Sequence, residues 1–142
     1  ITHGAKLMFA YGEATVPKVT VTLRKSYGGA HCVMSSKQLR GDFNYAWPTA
    51  EIAVMGAAGA IEVLEGRAIS KIENAEEKAK FIADKTAEYN DKFANPYMAA
   101  SYGYIDDVIE PRNTRFRVIR AFQALQTKKQ VNPLKKHSNI PL

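Results

Sequence analysis

The chain has 142 residues, 46% hydrophobic and 24% charged, with one cysteine and a formal net charge of +6. That length favours one domain, or a piece of a larger one, able to bury roughly 70% of its unfolded surface without staples. The lone Cys32 excludes a disulfide framework and multi-cysteine zinc motifs, and no run approaches the ~18 apolar residues of a membrane-spanning helix.

The opening Ile1-Thr2-His3-Gly4 lacks the basic and apolar regions of a signal peptide. An initial Ile1 in place of methionine suggests a processed or truncated product, and a reducing, cytoplasmic compartment is expected. Residues 1–15 read as a helix with Ala5, Met8, Phe9 and Gly12 on one stripe. Pro17 ends it by holding Val16 extended. Lys18 to Arg24 alternates, with Val19, Val21 and Leu23 on one face, as a strand does. Tyr27-Gly28-Gly29-Ala30 follows, then a short helix over His31 to Lys37 and a turn at Gly41-Asp42-Phe43-Asn44. Ile52-Ala53-Val54 reads as a short buried strand, and Ala57 to Leu64 as a short helix.

The clearest helix runs from Ala75 to Phe93, its stripe being Ala79, Ile82, Ala83, Thr86, Tyr89 and Phe93. Asn95-Pro96 breaks it before a short helix over Tyr97 to Tyr102. Tyr104 to Ile109 offers another strand, with Asp106 and Asp107 expected to face solvent or a partner. Asn113 is placed to cap a last helix from about Thr114 to Thr127, packed through Val118, Ile119, Phe122 and Leu125. An extended tail over 128–142 is expected beyond it. Short strands alternating with helices point to an α/β fold.

The charge is uneven. From Pro111 onward there are eight basic residues and no acids, which leaves 12 basic and 14 acidic residues before it. Such an end can bind nucleic acid, phosphate or an acidic protein surface, or be a solvated helix face with a tail docked on another subunit.

Side-chain chemistry is sparse. His3, His31 and His137 have no ligand spacing, so no metal site is expected. His31 and Cys32 are adjacent, point about 100° apart on a helix and make a poor base–nucleophile couple. Asp42 and Glu51 are general-base candidates by type, with structural roles the simpler reading. The informative feature is a strand entering Gly28-Gly29-Ala30 and then a helix. Glycines admit close backbone approach, and the first helix amides lack intrahelical partners. Two such amides can hold an oxyanion, although an ordinary strand-to-helix turn looks the same in sequence.

The runs Lys25-Ser26-Tyr27-Gly28-Gly29-Ala30-His31-Cys32-Val33-Met34-Ser35-Ser36-Lys37 and Asn44-Tyr45-Ala46-Trp47-Pro48-Thr49-Ala50-Glu51-Ile52-Ala53-Val54-Met55-Gly56 carry a resemblance. So do Phe93-Ala94-Asn95-Pro96-Tyr97, Gly103-Tyr104-Ile105-Asp106-Asp107 and the closing Lys135-Lys136-His137-Ser138-Asn139-Ile140-Pro141-Leu142. The chain resembles the β subunit of biotin-dependent acyl-CoA carboxylases, the propionyl type most of all. The resemblance implies a crotonase-like α/β spiral, truncated to the C-terminal portion of the domain that receives carboxybiotin.

It implies transfer of a carboxyl group from carboxybiotin to the α-carbon of a short acyl-CoA. The amides of Gly29 and Ala30 would hold the ureido oxyanion, and Tyr27, Gly28, Gly29 and Ala30 would form the cofactor cradle. Biotin would arrive on a biotin carboxylase and biotin carrier subunit. The β subunits would assemble as hexamers, in the cytoplasm or a mitochondrial matrix, with no nucleic acid or membrane as partner. Two positions depart from the family: His31 stands where an aromatic is usual, and Cys32 where propionyl-type members commonly have Asp. Both positions bear on acyl-CoA preference, so propionyl-CoA, acetyl-CoA and longer chains stay open. A sodium-pumping decarboxylase subunit shares parts of the pattern, and a basic binding or assembly module without catalysis is the reading from another class.

Overall fold

Parallel strands cannot be joined by tight turns, so each pairing here spans a long crossover. The computed structural model describes residues 2–134. Helix α1 (Thr2–Glu13) leads into β1 (Val19–Thr22), β2 (Lys25–Tyr27) and α2 (Gly28–Val33). A 3₁₀ turn (Lys37–Leu39) precedes β3 (Phe43–Ala46), β4 (Glu51–Ala53), α3 (Ala57–Ile69), α4 (Ala75–Phe93) and α5 (Pro96–Ser101). Then come β5 (Asp107–Val108), a second 3₁₀ turn (Pro111–Asn113) and α6 (Thr114–Ala124).

The chain coils. One sheet has the order β1-β3-β5 and the other β2-β4, and every pairing is parallel. Each turn of the coil lays one strand on each sheet: β1 then β2, β3 then β4. The registers are Val19↔Phe43 to Thr22↔Ala46 and Lys25↔Glu51 to Tyr27↔Ala53. Small residues let successive turns stack closely. Ala46, Ala50 and Ala99 pack with Ile52 and Ile105, while Tyr45, Ile109 and Ala121 form a second cluster.

Several elements differ from the sequence reading. Phe43 and Asn44, expected in a turn, begin β3, the central strand of its sheet. Their polar neighbours are satisfied from afar: the Asn44 N–H donates to Asp106 Oδ2 at 2.8 Å. Asp106 also pairs with Lys37, and Asp107 pairs with Arg117, so this acidic pair meets its own chain. Helix α3 runs to Ile69 through Gly66, five residues beyond the expected end at Leu64, because a helical glycine costs only about 1 kcal/mol. The Asn113 side chain makes no capping bond. Instead the Thr114 hydroxyl donates to Pro111 O at 2.8 Å and accepts from Trp47 Nε1 at 2.9 Å. By contrast, α4 has the expected bounds, capped by Asn74 Oδ1 accepting from the Glu76 and Glu77 N–H groups.

The segment after α6 doubles back as a strap. Lys128 Nζ donates to Val16 O at 2.9 Å and to Asp42 Oδ2 at 2.7 Å. Asn132 Nδ2 donates to Glu13 O at 2.8 Å, and Arg40 donates to Asn132 Oδ1 at 3.2 Å and Gly12 O at 3.1 Å. The rest of the expected tail, with His137, lies outside the described residues. Burial opposes ionisation of Asp42, yet hydrogen bonds from Lys128 Nζ and the Lys18 N–H outweigh it and hold the carboxyl below its ordinary range. Its contribution to stability is therefore complete above the unfolded carboxyl value of about 4 and is lost as pH falls through the lowered folded value. Lys128→Met is expected to loosen the strap by about 1–3 kcal/mol. Limited proteolysis of the native full-length subunit then cleaves faster between residues 125 and 134; unchanged cleavage contradicts the clamp.

Candidate functional site

Strand β2 delivers Tyr27 opposite Ala53 of β4, and the next residue, Gly28, opens α2. Gly28 has φ +51°, and a Cβ there would stand 2.6 Å from Val54 O. Both the left-handed backbone and the pressing carbonyl require glycine. Gly29 is different: a Cβ added to it meets nothing within 4 Å. Its absent side chain leaves open space that no part of the described chain fills. Gly29 and Ala30 are exposed, and as second and third residues of α2 they carry amides without intrahelical acceptors.

The expected helix start at His31 is thus three residues late. Gly28, Gly29 and Ala30 are the first turn of the helix rather than the loop before it. That change places the two amides at the positive end of α2.

A cleft of about 590 Å³ opens beside this turn. Gly28, His31 and Cys32 line one side, Ile52, Ala53 and Val54 its β4 end, and Tyr89, Phe93, Tyr102 and Tyr104 the other side. The aromatic wall was not legible as a wall. Tyr89 and Phe93 read as a packing stripe, and their four-residue spacing near the end of α4 was the available signal. Their rings are 5.2 Å apart, centroid to centroid, and those of Tyr102 and Tyr104 are 6.0 Å apart. The volume lies in the range of about 300–1,000 Å³ typical of small-molecule sites.

Each singled-out side chain has a definite place. The Tyr27 hydroxyl donates to Glu51 on the neighbouring strand. Glu51 is therefore occupied structurally, and Asp42 is held in the strap, so neither candidate base lines the cleft. That hydrogen bond, with burial and the Glu51 charge, pushes the Tyr27 phenol up to about 12. His31 Nδ1 lies 2.9 Å from Ser26 Oγ, while its Nε2 is buried without a partner among the described residues. Burial pushes the imidazole below its ordinary value, which keeps it neutral at pH 7. Cys32 lines the cleft beside it, and its carbonyl accepts from Ser36 Oγ at 3.0 Å. Among the described residues no group of three acidic, histidine or cysteine side chains could hold a metal ion. The basic end is partly spent within the chain: Arg117 on Asp107 and over Tyr45, Lys128 on Asp42, Arg120 over Phe116.

A family model described as the carboxyl transferase domain matches residues 1–140. The chain belongs to the carboxyl transferase family. It is 62% identical, over its whole length, to the propionyl-CoA carboxylase beta chain of Cereibacter sphaeroides, of which it covers 26%. It is 52% identical to the methylmalonyl-CoA decarboxylase subunit alpha of Propionigenium modestum, covering all of this chain and 27% of that one. Among solved structures, transcarboxylase 12S, a hexamer crystallised with hydrolysed methylmalonyl-coenzyme A, superposes with a TM-score of 0.88 at 48% identity. That superposition covers 99% of this chain and 26% of the 12S chain. The coil of parallel strands and helices is thus the crotonase-like α/β fold of carboxyltransferases, as expected. The chain spans about a quarter of the length of these relatives.

Two outcomes test this geometry. Gly28→Ala is expected to destabilise by about 2–4 kcal/mol through its backbone region and the Val54 carbonyl, while Gly29→Ala costs at most about 1 kcal/mol. Thermal unfolding of the two variants in the full-length subunit checks the contrast; equal losses contradict it. Tyr27, raised from 10 to about 12, contributes stability that is complete below pH 10 and lost as pH rises through 12. Glu51→Gln is expected to return its ionisation toward 10, seen by ultraviolet difference titration against wild type; no change in the titration contradicts the bond.

Proposed function

We propose that this chain is the biotin-facing part of a carboxyltransferase subunit in a biotin-dependent acyl-CoA carboxylase. The reaction moves a carboxyl group from carboxybiotin to the α-carbon of a short acyl-CoA, propionyl-CoA being the substrate of choice. The supporting observation is the Gly28-Gly29-Ala30 turn at the edge of an apolar cleft, in a chain 62% identical to a propionyl-CoA carboxylase beta chain.

The residues fit a biotin group. The space over Gly29 is open, and the walls of the neighbouring cleft are mostly apolar and aromatic, as a fused-ring body with one polar end requires. When bound, biotin supplies a carboxyl group activated on its ureido nitrogen. The amides of Gly29 and Ala30 would donate to its ureido oxygen and offset negative charge there. Donors fixed at the start of α2 would need little reorganisation at the moment the charge appears. The side chains of the cleft orient the ring and exclude water. Neutral His31 and small Cys32 shape the wall next to the turn and set which acyl-CoA reacts. No described side chain in the cleft is placed as a strong base. The whole subunit supplies the acyl-CoA half of the site, assembles as a hexamer and receives biotin from a biotin carboxylase and carrier subunit.

A second reading, a subunit of a sodium-coupled methylmalonyl-CoA decarboxylase, rests on the 52% identity to such a subunit over the whole chain. Decarboxylation by the native complex that depends on sodium favours it over the carboxylase.

Loss of carboxyl from methylmalonyl-CoA and malonyl-CoA by the full-length subunit, with and without free biotin, tests the first reading. Biotin-dependent loss is expected, faster with methylmalonyl-CoA. Gly29→Pro, which removes one donor, is expected to lower kcat about 10²–10³-fold with the thermal midpoint nearly unchanged. Wild-type kcat in that variant refutes the role of the amide.

A further inference from the structure

The loop of residues 54–56, between β4 and α3, lies against the turn that opens α2. Burial does not anchor it: Val54 is 80% exposed and Met55 38%. Three contacts hold it instead. Val54 O presses on Gly28, as the 2.6 Å spacing to a notional Cβ shows. Gly56 stands against the Tyr27 ring, whose Cε2 is 3.3 Å from where a Cβ would be. Met55 O accepts a hydrogen bond from the Tyr89 hydroxyl at 3.1 Å. The first two contacts join the loop to the turn. The third joins it to α4.

Helix α4 buries none of its residues and packs against α3. Tyr89 is where it reaches the cleft and the loop together. Phe93, one turn on, tilts against the Tyr89 ring and lines the same wall. A tyrosine there does what phenylalanine cannot, since only its hydroxyl fixes the Met55 carbonyl.

We propose that Tyr89 is a positioning residue for the Gly28–Ala30 turn. Its hydroxyl fixes Met55 O, the fixed loop keeps Val54 O on Gly28, and Gly28 then holds the amides of Gly29 and Ala30 in one geometry. The effect on rate rests on the carboxyltransferase reading. The mechanical coupling from α4 through the loop to the turn does not.

The experiment uses the full-length subunit as wild type, Tyr89→Phe and Lys85→Ala. Lys85, one turn before Tyr89, pairs with Glu88 on the same helix, so its variant controls for general loosening of α4. Amide hydrogen exchange is followed in peptides covering residues 28–33. Exchange about fivefold faster in Tyr89→Phe, and unchanged in Lys85→Ala, is expected from loss of one hydrogen bond. Equal exchange in Tyr89→Phe and wild type overturns the coupling, and so does an equal increase in both variants. The second readout is biotin-dependent loss of carboxyl from methylmalonyl-CoA. A kcat about tenfold lower, with KM for methylmalonyl-CoA unchanged, is expected when the amides are misplaced. An unchanged kcat in an active enzyme overturns the positioning role. If the wild type shows no biotin-dependent loss, the carboxyltransferase reading fails, and exchange still decides the coupling.

Discussion

Everything at the site depends on one close approach, that of the Val54 carbonyl to the Cα of Gly28. Parallel pairing of β2 with β4 brings it about. With Tyr27 opposite Ala53, the next residues on the two strands converge where both leave the sheet. A side chain at position 28 would have no room, and the chain must turn through positive φ. Because it does, α2 begins at once, with no loop between strand and helix. Gly29 and Ala30 then stand exposed next to Gly28, which lines the cleft. Gly29 has no such steric duty, and the open space above it is what a ligand can use.

The second constraint is electrostatic. The last part of the chain carries the surplus positive charge, and the strap after α6 is fastened by part of it. Lys128 bridges the Val16 carbonyl and Asp42, while the Asp42 carboxylate also accepts from the Lys18 N–H at 2.7 Å. Asp42 precedes β3, the strand on which the larger sheet is built. The strap therefore fixes the start of that strand against the start of β1. A reading of the basic end as a nucleic-acid surface loses force once Arg117 and Lys128 are seen to serve the fold.

Local signals were legible and non-local ones were not. Helix α4 declares itself through an N-capping Asn74, acids in its first turn and a regular stripe, all within its own residues. The Gly-Gly-Ala turn was likewise visible, because glycine codes for a backbone that few other residues adopt. Strand β3 was hidden because Asp42 and Asn44 look like turn residues. Their partners, Lys18, Lys128 and Asp106, come from distant parts of the chain. Asp106 and Asp107 read as facing solvent or a partner for the same reason: Lys37 and Arg117 are distant in the chain. The cleft's aromatic wall was invisible too, since it needs α4 and α5 folded across the end of β4. The family resemblance supplied the site residues at positions 27–32; the structure adds the reason Gly28 differs from Gly29.

The central claim is that the amides of Gly29 and Ala30 are the donors that meet the cofactor. A crystal structure of the full-length subunit with biotin bound tests it most directly. The account predicts the ureido oxygen about 2.7–3.1 Å from both nitrogens, with the ring between the α2 turn and the Tyr89–Phe93 wall. Biotin seated elsewhere, or turned with its ureido oxygen away from those amides, would contradict it.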